Sequence, residues 1–515
     1  MAFSRRVRFL FYGAAGVVAA LGIASAVVIY RFQPVARDYV MAALRERYNS
    51  GVELGDLQIS LFPSVHAVGQ NLVLRFGGRN DLPPMVRVRQ FTLDADFVSF
   101  FRNPKRIALL RLDGLEIHMP PRSAGGNSSP SSGEHGKPVA SFLLDEVVAD
   151  SAVVSTTPSD PAKDPLVFQI HELKMHSVGM GRPMSFHARL ENPKPPGLID
   201  TTGDFGPWDA IQPRDTPVSG QYTFRGADLS VFKGISGILS SDGKYKGPLD
   251  RLEVQGTTDV PDFALDIAHQ PVPLHTEFEA TVDGTNGDTV LHPVKARLGS
   301  SNFEVGGSVA RGALEKNREI VLEANEPSGL LTDFLRLTVK GTKPPMTGRI
   351  GFKTKIIIPP GPASVVDRIE LDGRFTLSGV KFTSSDVQDK IAGLSHRAQG
   401  QPENHDPNVL ADFRGNFHLR DGVLGLPDLT FTLPGAQVGL AGRYGLRSGS
   451  LDFKGTAKLD ATVSQMTTGV KRLLLKPLDR FFSRDGAGVV LPIRISGTRG
   501  EPSFTLDIGQ MFKRH

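Results

Sequence analysis

The nearest thing to a catalytic motif in this chain is the run His171-Glu172-Leu173-Lys174-Met175-His176. A helix presents two imidazoles to zinc, with a glutamate beside the first, only when the second histidine stands four residues on. Here it stands five on. On a strand the two rings face opposite sides of a sheet, so the run predicts no metal site. Asp94 and Asp96 share one strand face, as a paired acid and base would, but charges two apart on a strand are also what a solvated sheet edge carries. The segment DGTNGD at 283–288 lacks the spacing of a calcium-binding loop and reads as a turn. Neither a Gly-x-Ser-x-Gly elbow, a Walker loop nor a dinucleotide fingerprint occurs. Cysteine is absent, which removes disulfides, thiolate ligands and a thiol nucleophile. The residues therefore predict a non-enzyme with no catalytic, cofactor-binding or metal-binding group.

With chemistry set aside, the question becomes what the chain is built to hold. Its 515 residues exceed one compact core, so several domains or an extended repetitive sheet are expected. Lys and Arg number 59 against 54 Asp and Glu, a thin excess that gives no footprint for nucleic acid. The 55 Gly and 37 Pro break the chain into many turns and favour strands over long helices.

Residues 9–30 form an uncharged apolar stretch long enough to cross a hydrocarbon core of about 30 Å as a helix. Phe9, Leu10, Val17, Val18, Leu21, Ile23, Val27, Val28 and Ile29 supply its apolar surface, and Arg5, Arg6 and Arg8 precede it. As a signal anchor it leaves residues 1–8 in the cytoplasm and exports the rest, although Arg31 and Arg37 weaken the charge asymmetry. Ala24-Ser25-Ala26 resembles a cleavage site, so a removable signal peptide is the alternative. Either way the body lies outside the cytoplasm. Beyond Pro34, Val35, Tyr39, Val40 and Leu44 line one face of a short amphipathic helix.

Period-2 patterning then predicts strands through Val52, Leu57 and Ile59, through Leu72 and Leu74, through Val86, Val88, Phe91 and Leu93, and through Leu110, Leu112, Leu115 and Ile117. Residues 121–139 are low in complexity, have nothing apolar to bury, and predict a disordered loop. Residues 140–218 read as a second β-region ending in a Pro/Gly-rich stretch with the lone Trp208. From 219 to 515 a short unit recurs: GQYTF at 220–224, GRIGF at 348–352, GRFTL at 373–377, GNFHL at 415–419 and GRYGL at 442–446. Each reads as a turn or bulge glycine leading into a strand with one apolar face. A longer echo pairs LEVQGTTDVPDFALDI at 252–267 with IRISGTRGEPSFTLDI at 493–508. Such repeats predict stacked supersecondary units. Helical insertions are expected at 227–239, 328–337, 385–397 and 463–482.

The run LGDLQISLFP at 54–63 resembles the N-terminal signature of the AsmA-like proteins. PMVRVRQFTL at 84–93 and IALLRLDGLEI at 107–117 continue that pattern, and GAGVVLPIRISGT at 486–498 resembles the family's closing strands. The resemblance brackets 34–120 as the N-terminal region and the end of 219–515 as the C-terminal one. It implies an inner-membrane anchor and a periplasmic β-groove related to the bridge-like lipid-transfer proteins. The implied partners are phospholipid acyl chains, the inner membrane and outer-membrane components. The fold so expected is mainly β, an elongated, twisted antiparallel ribbon curled into an apolar groove, with short amphipathic helices and one transmembrane helix. Phe263, Leu265, Ile267, Phe504, Leu506 and Ile508, which occupy matching places in the long echo, are the candidate groove residues. The competing function is a scaffold for assembling outer-membrane proteins, with edge strands recruiting the partner.

Overall fold

A computed structural model describes residues 51–60, 64–75, 81–96, 98, 105–119, 142–156, 167–179, 182–207, 213–284, 286–311, 318–341, 343–462, 464–466, 488–499 and 501–506. The expected anchor at 9–30, the stretch after Pro34, the loop at 121–139, Trp208, Ile508 and nearly all of the helix expected at 463–482 lie outside these residues. Among the described residues no helix is long and apolar enough to cross a membrane.

The chain is mainly β, and its strands are almost all antiparallel. It divides into two compact units, Met1–Arg225 with Gly243–Glu253 and Asp283–Asn286, and Gly226–Asp242 with Val254–Val282 and Gly287–His515. The first holds β1 (Gly51–Glu53), β2 (Leu57–Ser60), β3 (Val65–Arg75), β4 (Val86–Ala95), β5 (Lys105–Met119), β6 (Phe142–Thr156), β7 (Val167–Gly179), β8 (Met184–Pro193), β9 (Pro196–Phe205) and most of β10 (Pro217–Asp228). Both β1 and β2 pair with β3, and each later strand pairs with the next. The pairing of β5 with β6 is parallel.

Next come β11 (Ile235–Ser236), β12 (Ile238–Pro248), β13 (Leu252–Val260), β14 (Ala264–Leu265), β15 (Leu274–Val282), β16 (Thr289–Leu298), β17 (Ser301–Arg311) and β18 (Arg318–Leu330). Helix α1 (Leu331–Thr338), β19 (Met346–Ile358), α2 (Val365–Arg368), β20 (Glu370–Phe382) and α3 (Ser385–Ala398) follow. The last six are β21 (Ala411–Arg420), β22 (Val423–Leu433), β23 (Ala436–Gly445), β24 (Ser450–Leu459), β25 (Val489–Thr498) and β26 (Pro502–Leu506), so the strands run on to the final described residue. In the second unit β15 to β26 pair in sequence order, while β11 and β14 form a separate two-stranded ladder. Neither unit's sheet closes into a barrel.

The strands form because apolar residues alternate with charged or polar ones, which gives one face to burial and one to water. In β21, Ala411, Phe413, Gly415, Phe417 and Leu419 are shielded, while Asp412, Arg414, Asn416, His418 and Arg420 are exposed. The alternation repeatedly skips a residue. Gly69 and Leu72, Leu112 and Leu115, Ala149 and Ala152, Met175 and Val178, and Leu377 and Val380 stand three apart and each pair has a positive-φ residue just before its second member: Asn71, Gly114, Ser151, Ser177 and Gly379. A bulge of this kind inserts one residue and returns the following side chains to the apolar face.

Two helices meet the expectation and one does not. Helix α3 occupies the stretch predicted at 385–397, and α1 lies within that at 328–337 but for one residue. Residues 227–239 instead make a short 3-10 turn at Leu229–Val231 and two strands. Gly226, Gly234 and Gly237 have φ of +66°, +104° and +135°, and a right-handed helix cannot pass through such positions.

Candidate functional site

The cross-strand register stacks like residues into rows. In the second unit one row runs Leu322, Ile356, Leu371, Leu419, Leu424, Tyr444 and Leu451, each directly opposite the next on successive strands from β18 to β24. All but Leu419 are only half-buried. A second row on the same face runs Ile350, Leu377, Phe413, Phe431, Val438, Ala457 and Leu491. This row belongs to the core, where Phe413 and Phe431 stack at 4.6 Å and α3 contributes Ala392 and Ala398. One apolar face thus has a covered part and a part left half open to solvent.

Helix α3 is fixed where it covers the face. Gln388, 4 % exposed, accepts from Phe382 N and donates to the carbonyls of Pro407 and Val409 at 2.7 and 2.8 Å. Ser395 donates to the Pro434 carbonyl at 2.7 Å.

Between the two rows lie aromatic residues and glycines that complement each other. Phe417 stands opposite Gly373 and Phe375 opposite Gly415, and the two rings are 6.1 Å apart. A Cβ at Gly373 would meet the Lys353 carbonyl oxygen and Thr354, and one at Gly415 the backbone of Leu429, so both positions are closely approached by a neighbouring strand. The same pairing recurs at Gly69 and Phe91 and at Gly442 and Phe453, where a Cβ on the glycine would collide with the ring. The first unit has a comparable row of Gly69, Phe91, Leu112, Ala149, Leu173, Ala188, Thr201 and Tyr222. There Tyr245 bonds Thr201 Oγ1 through its hydroxyl at 2.7 Å, and burial pushes its phenol above the usual range.

The opposite face is charged and alternates in sign. Glu323, Lys355, Asp372 and His418 form an exposed row across β18 to β21. In the first unit His66 and Asp94 stand opposite each other with 2.6 Å between Nδ1 and Oδ1, and Arg89 reaches Asp113 at 2.8 Å. Such cross-strand pairs add about 0.2–1 kcal/mol each and hold the register. A cleft of about 530 Å³ on the second unit is lined by Lys295 and Arg297 together with Glu277 and Glu304, and Lys295 sits opposite both glutamates. Its charges cancel.

The histidines of the opening motif lie on β7, both exposed, with His171 Nε2 3.9 Å from Glu191 Oε2. A register shift between Ile170 and Glu172 carries His171 to the charged face that also holds His176, opposite Glu146, so the expected opposition of the two rings does not occur. Among the described residues no group of three or more His, Asp or Glu is placed to hold a metal. Lys174, bonded to Glu172, holds that carboxyl below the usual range.

Of the six groove candidates, the five within the described residues lie at two separate ladders. Leu265 belongs to β14, and Phe263 and Ile267 flank it in turns, all three half-buried and off the main sheet. Phe504 and Leu506 lie on β26, opposite Ile495 and Ile493. The echo diverges because its turns differ: Gly497, with φ of +95°, folds β26 back on β25, whereas Asp262 accepts from Ile238 N and diverts the chain toward β11.

One feature of the face has no counterpart in the sequence reading. Glu326 lies in the apolar row with Phe352, Phe375 and Gly415 and is 2 % exposed. Its Oε1 accepts from Ser328 N at 2.8 Å, while Oε2 is buried without a partner. Burial pushes its carboxyl above the usual range, against the opposing pull of Ser328 N and the Arg349 guanidinium.

No protein-family model, curated protein or solved structure matches the chain.

Proposed function

We propose that this protein is a membrane-anchored, non-catalytic carrier whose apolar sheet face shields phospholipid acyl chains as they move between membranes. The observation that carries the reading is the row from Leu322 to Leu451, seven residues in register, six of them half-buried, on a face whose reverse is charged. Open apolar surface of this extent is costly in water unless something covers it. A chain-like ligand lying across the strands fits a row better than a compact one, and it needs contact rather than a reactive group.

The resemblance to AsmA-like proteins at 54–63, 84–93 and 486–498 supports the same reading and supplies its setting. Residues 9–30 anchor the chain in the inner membrane, its bulk lies in the periplasm, and the process served is maintenance of the outer membrane. Protein extracted in mild detergent is expected to carry more phospholipid than an unrelated single-span protein prepared alongside. Equal amounts would remove the basis of the proposal. Crosslinking that captured an outer-membrane barrel protein and no lipid would favour the scaffold instead.

A further inference from the structure

The cleft of about 530 Å³ on the second unit lies on the charged face, across β15, β16, β17 and β18. Register shifts interrupt β15 between Glu277 and Ala280, β16 between Leu291 and Val294, and β18 between Glu326 and Gly329. A bulge bends the strand that carries it and raises the local twist, so three within four strands hollow a face that regular pairing leaves flat.

Two rows of polar side chains line the hollow. In one, Lys295 stands opposite Glu277 on one side and Glu304 on the other, and Glu304 stands opposite Asn325. In the next row, two residues along the strands, Arg297 stands opposite His275 and Asn302. The first row sets two carboxylates against one ammonium and so forms an acidic pole. The second holds a guanidinium with no carboxylate beside it and forms a basic one. At strand spacing the poles are about 6.7 Å apart.

These groups do not use one another up. Among the described residues the side chains of Glu277, Lys295, Arg297, Asn302, Glu304 and Asn325 make no hydrogen bond or ion pair, although Lys295 has a carboxylate opposite it on both neighbouring strands. By contrast Arg443 and Asp452, directly opposed in the same unit, close to 3.9 Å. His275 is held on one side only: Asp259 Oδ1 of β13 accepts from its Nδ1 at 2.6 Å, which leaves Nε2 for another partner. Pockets that hold small ligands run to roughly 300–1,000 Å³ and place a few convergent polar groups on an otherwise passive wall. A hollow of that size with unengaged groups of both signs suits a molecule that brings both signs with it.

We propose that this cleft binds an aminoalkyl phosphate, a phosphate and an ammonium joined by a short carbon link, as in phosphoethanolamine. Arg297 takes the phosphate, its planar fork meeting two oxygens at once, and Asn302 and His275 reach the phosphate from the strands on either side. Glu277 and Glu304 accept hydrogens from the ammonium, and Lys295 between them offsets the surplus negative charge. Phe303 and Pro327 wall the carbon link. An α-amino acid is too short for the two poles, because its carboxylate and ammonium share one carbon. Inorganic phosphate leaves the acidic pole unused. The site lies on the reverse of the proposed acyl-chain face and does not rest on the carrier reading.

Isothermal titration calorimetry of the full chain in mild detergent tests the site, with O-phosphoethanolamine, inorganic phosphate and ethanolamine as separate probes. O-phosphoethanolamine is expected to bind at least about tenfold more tightly than either fragment. Arg297→Ala should weaken it by at least about tenfold, and Glu277→Gln combined with Glu304→Gln should bring it down to the affinity of inorganic phosphate. Lys355→Ala, in the exposed charged row of β18 to β21, should leave it unchanged. If O-phosphoethanolamine binds no more tightly than inorganic phosphate, or if Lys355→Ala weakens it as much as Arg297→Ala does, the face attracts ions through general charge and the site is overturned. Competition by glycerophosphoethanolamine assigns the ligand to a lipid headgroup, and its absence assigns it to the free monoester. None of these probes carries an acyl chain, so the cleft and the carrier reading fail separately.

Discussion

Phe417 and Phe431 are on neighbouring strands of one face, and truncating each to alanine separates a working surface from a core. Phe431 is 9 % exposed and stacks on Phe413 at 4.6 Å with 23° between the rings. Its loss leaves a cavity lined by Val438 and its neighbours, for which about 3–5 kcal/mol is typical. Phe417 is half-buried, its aromatic partner Phe375 is tilted and 6.1 Å away, and Gly373 opposite offers no side chain to lose contact with. Roughly half the buried area is at stake, which at about 25 cal/mol per Å² amounts to about 2–3 kcal/mol. Urea unfolding followed by far-ultraviolet circular dichroism reads both values on the full chain. Phe431→Ala is expected to lose about 1.5 kcal/mol more than Phe417→Ala. Phospholipid carried per folded molecule should fall for Phe417→Ala and hold for Phe431→Ala. Equal destabilisation would mean that the face is a closed core at β21, and the distinction between its covered and half-open parts would collapse.

Other substitutions probe the elements around that face. A methyl group at Gly455 would collide with the Gly439 carbonyl oxygen, while Gly439 has nothing within 4 Å of its own; Gly455→Ala should cost about 2 kcal/mol or more and Gly439→Ala should stay within about 0.5–1 kcal/mol of the parent by urea unfolding. Gln388→Ala should cost about 2–4 kcal/mol, because Phe382 N and two carbonyls lose their partner in the core, and should expose α3 to proteolysis. For Glu326 the neighbouring charge is Arg349 of β19. Its carboxyl is raised in the folded state, so the fold binds the proton more tightly than the unfolded chain, and stability falls as pH rises through the interval above the ordinary glutamate value. Glu326→Met should therefore stabilise by about 1–3 kcal/mol at pH 8 and by less at pH 5, as thermal unfolding at the two values will show; a gain independent of pH would mean the carboxyl does not titrate there.

Much of the fold could be read from residue order. The alternation in β20 and β21 identified strands and their apolar sides, because Leu371, Gly373, Phe375 and Leu377 keep strict period two. Helix α3 was legible from Val387, Ile391 and Leu394, whose spacing of three and four suits only a helix. The bulges were not legible. Ser151 and Ser177 adopt positive φ without a glycine to announce it, and a skipped residue between apolar positions looks the same as the end of a strand. Glu326 escaped for a related reason: Glu323 and Glu326 look alike in the string EANE, but the two stand three apart and so face opposite sides of β18. The long echo misled in another way. Phe263, Leu265 and Ile267 match Phe504, Leu506 and Ile508 letter for letter, yet a side-chain bond from Asp262 sends the first copy into a separate ladder. Repeated sequence marked repeated strands, and the row that the structure offers as the candidate face, from Leu322 to Leu451, became visible only when the register was known.

The carrier reading is tested most directly by photo-crosslinking from the two sides of one strand. A photoreactive phenylalanine analogue placed at Phe417 reports on the apolar face, and the same analogue at Arg414, which is exposed on the charged face of β21, reports on its reverse. After irradiation in intact cells and purification of the full chain, mass spectrometry is expected to find phospholipid attached at position 417 and none at 414. Lipid at both positions alike, or at neither, would contradict the claim that the apolar face of this sheet shields acyl chains.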